Sequence, residues 1–374
     1  MLWNATIAGL VLWMAGTGSA VARATPSPEP FVAIHYLRLP VPAGIQPYGP
    51  SWMPDGRHVL FQNQVDGRTW MIDSDGKGLR CITCSFSDDP GPTMDGGLFF
   101  VYSFPDEQRL FLGSGVDVTY GSGNAAAQYG LSYLGSLFGV PAEDTPPPST
   151  DVADVIECHP SLFDCRSHQV LPIDMSADAN ATEPVGQRRT WHLSPEGKHL
   201  LWMEVRPDGT VMVVAKLVRE SDRYAAVDPR DINPPGPTGP SDANADHWEY
   251  VGQTFEGKSF ADGGREVEYL GGPSMDNFDV ETVNLATGAR HRLTSAPDWD
   301  EDGAISPDGR LLVTASWRTM RRIDVLGGML PEVHPYIDVP FMSAIVANYV
   351  SSHQGFQCDL TPWLMPAAGD DGGN

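Results

Sequence analysis

Short apolar runs separated by polar, turn-forming breaks fill residues 48–326, the pattern of hairpin strands and not of helices. Ser51-Trp52-Met53-Pro54-Asp55-Gly56-Arg57 leads into His58-Val59-Leu60-Phe61-Gln62, and Thr69-Trp70-Met71-Ile72 supplies a third apolar run before another Asp-Gly turn. The layout returns at Trp191-His192-Leu193-Ser194-Pro195-Glu196-Gly197-Lys198, which runs on into Leu200-Leu201-Trp202. It returns again at Ile305-Ser306-Pro307-Asp308-Gly309-Arg310. A weaker copy is read at Thr93-Met94-Asp95-Gly96, ahead of Leu98-Phe99-Phe100-Val101. In the stronger copies proline presets φ at the first corner, and glycine accepts the positive φ the turn requires.

Gly56 and Gly96 are 40 residues apart, and a unit of about 40–50 residues is the period of a four-stranded propeller blade. The longer intervals, Gly56 to Gly197 and Gly197 to Gly309, each leave room for one divergent blade, roughly residues 126–186 and 247–296. The expected fold is therefore all-β, a six-bladed β-propeller of four-stranded antiparallel blades. A strand at Phe31–Leu39 is expected to pair with the last blade and close the ring, which removes exposed sheet edges. Residues 25–374 form one domain in this reading, with a low-structure tail from about residue 364.

Ser51-Trp52-Met53-Pro54-Asp55-Gly56-Arg57, Leu193-Ser194-Pro195-Glu196-Gly197-Lys198 and Ile305-Ser306-Pro307-Asp308-Gly309-Arg310 resemble the WD40-like PD40 repeats of TolB-like β-propellers. The resemblance covers most of residues 48–326, implies the fold, and is nearly silent on function. TolB-like propellers are protein-interaction modules of the cell envelope, while related propellers cover the catalytic domain of prolyl-oligopeptidase-type peptidases. No second domain for such a peptidase is expected here.

The composition agrees with a turn-rich β protein, since 39 Gly and 33 Pro accompany 41% hydrophobic residues. A net charge of −24 leaves little to neutralise phosphates, so nucleic acid is excluded as the expected partner. Residues 5–22 are uncharged and rich in Ala, Leu, Val and Gly, with small residues at Ala20, Ala22 and Ala24, so residues 1–24 read as a secretory signal peptide. The expected product is secreted or extracytoplasmic, soluble after signal removal and monomeric, with a protein or small ligand as partner. Export turns the five cysteines toward disulfides. Cys158–Cys165 is the expected bridge. A Cys81–Cys84 bridge would demand a turn, because on a straight strand the two Cα atoms would stand roughly 10 Å apart, beyond the reach of a disulfide. The pairing of Cys81, Cys84 and Cys358 stays open.

Motifs for chemistry are sparse. No nucleophile elbow, P-loop, GxGxxG or HExxH is present. Aligning the copies on Pro54, Met94, Pro195 and Pro307 sets Tyr48, Asp88, Asp89, Arg188, Arg189 and Glu301 as the candidate ligand-binding residues at one mouth of the channel, where converging loops of a rigid scaffold build sites. Asp298, Asp300 and Asp302 have the DxDxDG spacing of a calcium loop, but Gly309 stands where a bidentate Glu would close it. These three carry a looser calcium expectation; no other cofactor is expected. The resulting reading is a non-catalytic propeller that binds a ligand at one channel face. The alternative is a lyase or hydrolase with carboxylates and a metal in the channel.

Overall fold

The computed structural model describes residues 39–63, 65–86, 97–116, 153–175, 187–206, 209–233, 255–271, 279–295, 300–306, 308–316 and 361–370. The first blade contains β1 (Pro47–Trp52), β2 (His58–Asn63), β3 (Thr69–Asp73) and the short β4 (Arg80–Cys81), paired in that order. Blade 2 comprises β5 (Gly97–Ser103), β6 (Arg109–Val116), β7 (Ala153–Ser161) and β8 (Asp164–Asp174). Blade 3 has β9 (Gln187–Leu193), β10 (His199–Arg206), β11 (Gly209–Arg219) and β12 (Tyr224–Asp231), and blade 4 has β13 (Glu256–Ala261), β14 (Glu266–Gly271), β15 (Asp279–Asn284) and β16 (Arg290–Arg292). In blade 5, β17 (Asp300–Ile305) and β18 (Leu311–Ser316) are completed by β19 (Thr361–Pro366).

The protein is all-β, and strands within each blade are antiparallel. Blades 2 and 3 also join at their rims, where β8 and β12 pair in parallel with Tyr224 opposite Ile173, giving one eight-stranded sheet. Each inner strand lies beside the next: β1 by β5, β5 by β9, β9 by β13, and β13 by β17.

Middle strands are buried on both faces, which explains uninterrupted apolar runs such as Leu200-Leu201-Trp202. Leu200 and Trp202 pack with Phe104, Phe111 and Val155 of blade 2, whereas Leu201 packs with Val267, Tyr269 and Val283 of blade 4. A Cβ on Gly113 would lie 2.6 Å from Trp191 Cγ, so only glycine lets the indole seat between blades 2 and 3. Met53, Leu60 and Met71 join Val101, Leu110 and Ile156 between blades 1 and 2. Val280 and Leu293 meet Leu312 and Met365 between blades 4 and 5.

Three expectations change. Among the described residues there are five blades, and the described part of residues 126–186, β7 and β8, continues the sheet begun by β5 and β6. The frame of blade 2 is also displaced. The β5–β6 hairpin turns at Phe104-Pro105-Asp106-Glu107, where Glu107 has a φ of 55° in the place filled by Gly56, Gly197 and Gly309, while Met94 lies outside the described residues. A glycine count could not find a turn without glycine. Finally, the tail expected to carry little structure begins inside β19, and past it the Asp370 N–H donates to the Leu293 carbonyl at 3.0 Å. Of the proposed closing strand only Leu39 is described, packed with Val59, Phe61 and Ile72. The signal-peptide segment lies outside the described residues.

Candidate functional site

Four hairpins share one hydrogen-bond frame: the N–H groups of Met53, Phe104, Ser194 and Ser306 donate to the carbonyls of His58, Arg109, His199 and Leu311 at 2.8–2.9 Å. In blade 4 the corresponding pair is Ala261 and Glu266. Two positions earlier stand Ser51, Tyr102, His192, Ser259 and Ala304, one from each blade.

This rung stitches the blades together. Ser51 Oγ donates to the Val101 carbonyl at 2.5 Å, Tyr102 Oη and His192 Nδ1 are 2.7 Å apart, and His192 Nε2 lies 3.1 Å from the Gly257 carbonyl. A carbonyl only accepts, so Nε2 carries the proton, and in the neutral ring Tyr102 must donate to Nδ1. Contacts between like positions mean that these inner strands run side by side in the same direction. The series continues where Lys258 Nζ reaches Asp302 at 2.7 Å and Glu256 at 3.3 Å.

N-terminal to the rung, β1, β9, β13 and β17 each carry a register shift against their partner strand, a β-bulge that bends the strand and re-aims its side chains. Gly49, Thr190 and Asp302, each five residues before the turn position of Pro54, Pro195 or Pro307, have φ of 56°, 50° and 52°. The stretches ahead of the bulge form one mouth of the inner-strand array.

Tyr48 lies half-buried at this mouth on β1. Arg188, second in β9, has Nε 3.2 Å from Glu204 Oε1, and the same oxygen accepts from Trp202 Nε1 at 2.8 Å. Arg189 is opposite Met203 and Glu301 opposite Ala315, while their side chains lie outside the described residues, as do Asp88 and Asp89. Asp298 is outside the described residues; Asp300 is buried, and Asp302 is 70% exposed against Lys258. Among the described residues no group of three or more His, Cys, Asp or Glu is placed to hold a metal ion.

Two disulfides are present. Cys158–Cys165 bridges β7 and β8 across their turn, with Cα atoms 5.1 Å apart, as expected. Cys81–Cys84, at 5.6 Å, is made by the turn that a local bridge requires, and Cys358 lies outside the described residues.

Burial dominates the protonation of the polar groups here. It lowers the His192 pKa to about 4, helped by nearby Lys258, and raises that of Tyr102. Glu268 of β14, bonded to Ser259 Oγ at 2.6 Å, is raised to about 7 by burial, with Asp302 adding to the rise. Opposing it are Ser259, the Ile305 N–H and Lys258. Asp279 is likewise raised to about 7 by burial although Arg292 pairs with it; Asp300 adds repulsion. Of this network only Asp300 and Asp302 are among the sequence-derived candidates. Tyr102 and His192 had a signal, since both stand three residues before a turn proline, but the misplaced frame of blade 2 hid it.

No family model matches the chain, and no curated protein matches it. Among solved structures it is similar to a protein assigned as TolB from Agrobacterium tumefaciens, at 13% identity and a TM-score of 0.40, covering 73% of this chain and 70% of that one. A puromycin-hydrolyzing peptidase from Mycobacterium tuberculosis is similar at 15% identity and a TM-score of 0.37, over 72% of this chain and 35% of the peptidase. The periplasmic gluconolactonase PpgL of Pseudomonas aeruginosa follows at 17% identity and 0.35, over 73% of this chain and 63% of that chain. The chain thus spans about a third of the peptidase's length. The blade assignment rests on the repeated hairpin frame and stitched inner strands.

Proposed function

We propose that the protein is an extracytoplasmic, six-bladed propeller that binds a basic peptide segment at the mouth of its inner strands and catalyses no reaction. The reading is supported by the charged positions ahead of and within the bulges: Glu256 on β13 with Asp300, Glu301 and Asp302 on β17, against Arg188 and Arg189 on β9 and Lys258 on β13. A mouth with an excess of carboxylates on a net −24 chain favours cationic segments by local and long-range potential. The paired disulfides support an oxidising compartment. Among the described residues no helix is long and apolar enough to cross a membrane.

The test is calorimetric titration of the full chain with a lysine-rich peptide at low and at physiological salt, repeated for Glu301→Gln with Asp302→Asn. Binding that weakens several-fold in salt and in the double variant, with unchanged melting, supports the reading. Equal binding by both proteins under unchanged melting overturns it.

A further inference from the structure

The joint between blades 1 and 2 contains two short disulfide-closed loops that reach across to each other. Cys158–Cys165 closes the β7–β8 turn, and Phe163 inside it lies beneath the Arg80 guanidinium, 4.9 Å from Cζ to the ring centre, with its ring 5.0 Å from His58. In the reverse direction, Cys81–Cys84 closes the turn that ends β4, and two residues on Phe86 stacks on His168 of β8 at 3.6 Å. Ile82, Phe86, Cys158 and Leu162 belong to the same apolar cluster. Each bridge therefore shapes a loop whose aromatic ring is held by the other blade.

The two bridges differ in access. Cys84 is exposed and Cys81 half-buried, whereas Cys158 is fully buried and Cys165 half-buried. Arg68 Nη1 donates to the carbonyls of Thr83 at 2.9 Å and Phe86 at 3.3 Å, which places a guanidinium against the backbone of the turn that carries Cys84. A nearby cation favours thiolate over thiol and thereby eases thiol–disulfide exchange.

We propose that Cys81–Cys84 is a thiol–disulfide exchange site for a dithiol reductant and that its state sets the tightness of the joint between blades 1 and 2. A thiolate of the reductant attacks the exposed Cys84 Sγ, forming a mixed disulfide and releasing Cys81 as thiolate, which takes a proton. The reductant's second thiolate then attacks its own sulfur in the mixed disulfide, releasing Cys84 and leaving the reductant as a disulfide. The reductant loses two electrons and two protons, and the cysteine pair gains them. With the bridge open, Phe86 is no longer set by a closed turn, and the β8 face that carries His168 loosens.

The test titrates the oxidised full chain with dithiothreitol, traps thiols by alkylation and maps them by peptide mass spectrometry, scoring Cys358 separately. Cys81 and Cys84 should be labelled at a reductant concentration at least tenfold below that which opens Cys158–Cys165. At that concentration amide exchange of residues 164–174 should rise at least threefold, while residues 209–219 of blade 3 stay unchanged. Cys81→Ser with Cys84→Ser should reproduce the faster exchange without reductant. Opening of Cys158–Cys165 first or together overturns the site, and an open Cys81–Cys84 with unchanged exchange at 164–174 overturns the coupling. If the double variant does not fold, the titration of the native chain still decides both points.

Discussion

Tyr102 and His192, ninety residues apart in sequence, meet across the gap between blades 2 and 3 with Oη 2.7 Å from Nδ1. The other ring nitrogen bonds to blade 4 through the Gly257 carbonyl, so one imidazole ties three blades together. Both groups are held neutral by burial, and the tie is a chain of directed hydrogen bonds without a buried charge.

Replacing Tyr102 by Phe leaves Nδ1 without its donor in a buried place. Such an orphaned acceptor costs about 1–3 kcal/mol, and chemical denaturation of Tyr102→Phe should show a loss of that order. The pH dependence has a defined sign. The His192 pKa is about 4 folded against an ordinary 6.5, so between these values the unfolded chain binds the extra proton and stability falls as pH falls. His192→Gln should remove that part of the acid sensitivity; an unaltered acid limb of the stability curve would contradict it.

The repeated turns allow positive-φ strain to be separated from collision. Gly56 and Gly197 have φ of 65° and 70°, yet a Cβ on Gly56 meets nothing within 4 Å, whereas one on Gly197 would stand 2.7 Å from Phe104 Cδ1. Gly56→Ala should cost about 1 kcal/mol from left-handed backbone alone. Gly197→Ala should cost distinctly more, because the blade 2 turn must also move. Equal losses in denaturant melts would show that Phe104 yields freely.

These turns also mark what the chain makes legible. Pro54-Asp55-Gly56, Pro195-Glu196-Gly197 and Ser306 with Gly309 announce their hairpins because proline, a capping acid and glycine each meet a local backbone demand. Pro105-Asp106-Glu107 makes the same turn with Glu107 at a φ of 55°, which packing by Phe104 and Arg109 sustains but local propensity does not signal. That one position hides the hairpin of blade 2 from a count of turn glycines. The site was less visible still. Ser51, Tyr102 and His192 are ordinary strand residues until the rung is aligned, and Lys258 meets Asp302, 44 residues away, through a side-chain contact between blades 4 and 5. Cys158–Cys165 was readable because seven residues can turn back on themselves; Cys81–Cys84 depended on a turn that spacing alone could not supply.

The third strand of blade 5 comes from far along the chain, and its removal should be felt locally. β19 pairs with β18 from Leu311 opposite Pro366 to Ser316 opposite Thr361, and Met365 packs with Leu312 in the core shared with blade 4. Asp370 adds a bond from Ser295 Oγ at 2.9 Å. A chain stopped after residue 360 should lose protection of the β18 amides in hydrogen exchange and melt several degrees lower, while β10 and β11 keep theirs. Full protection of β18 in the shortened chain would show that β19 adds no stability.

Glu268 should oppose His192 in its pH dependence. Its folded pKa of about 7 stands above the ordinary 4.5, so the unfolded chain releases the proton first as pH rises. The stabilising contribution of the protonated carboxyl is complete below about pH 4.5 and is lost as pH passes 7, by at most roughly 3–4 kcal/mol at about 1.4 kcal/mol per pH unit. Gln keeps the shape and can still accept from Ser259 Oγ, but it cannot ionise. Glu268→Gln should therefore match the native chain near pH 4.5 and exceed it in stability at pH 8, with Asp279 contributing the same background to both. Because Gly303 leaves no room for a side chain, its would-be Cβ lying 2.0 Å from Glu268 Oε1, the ionised carboxylate cannot be relieved by a neighbouring side chain there. Denaturant-derived stabilities of the two proteins at pH 4.5, 6 and 8 check this. Curves that run parallel across that range would mean that Glu268 titrates as an ordinary carboxyl.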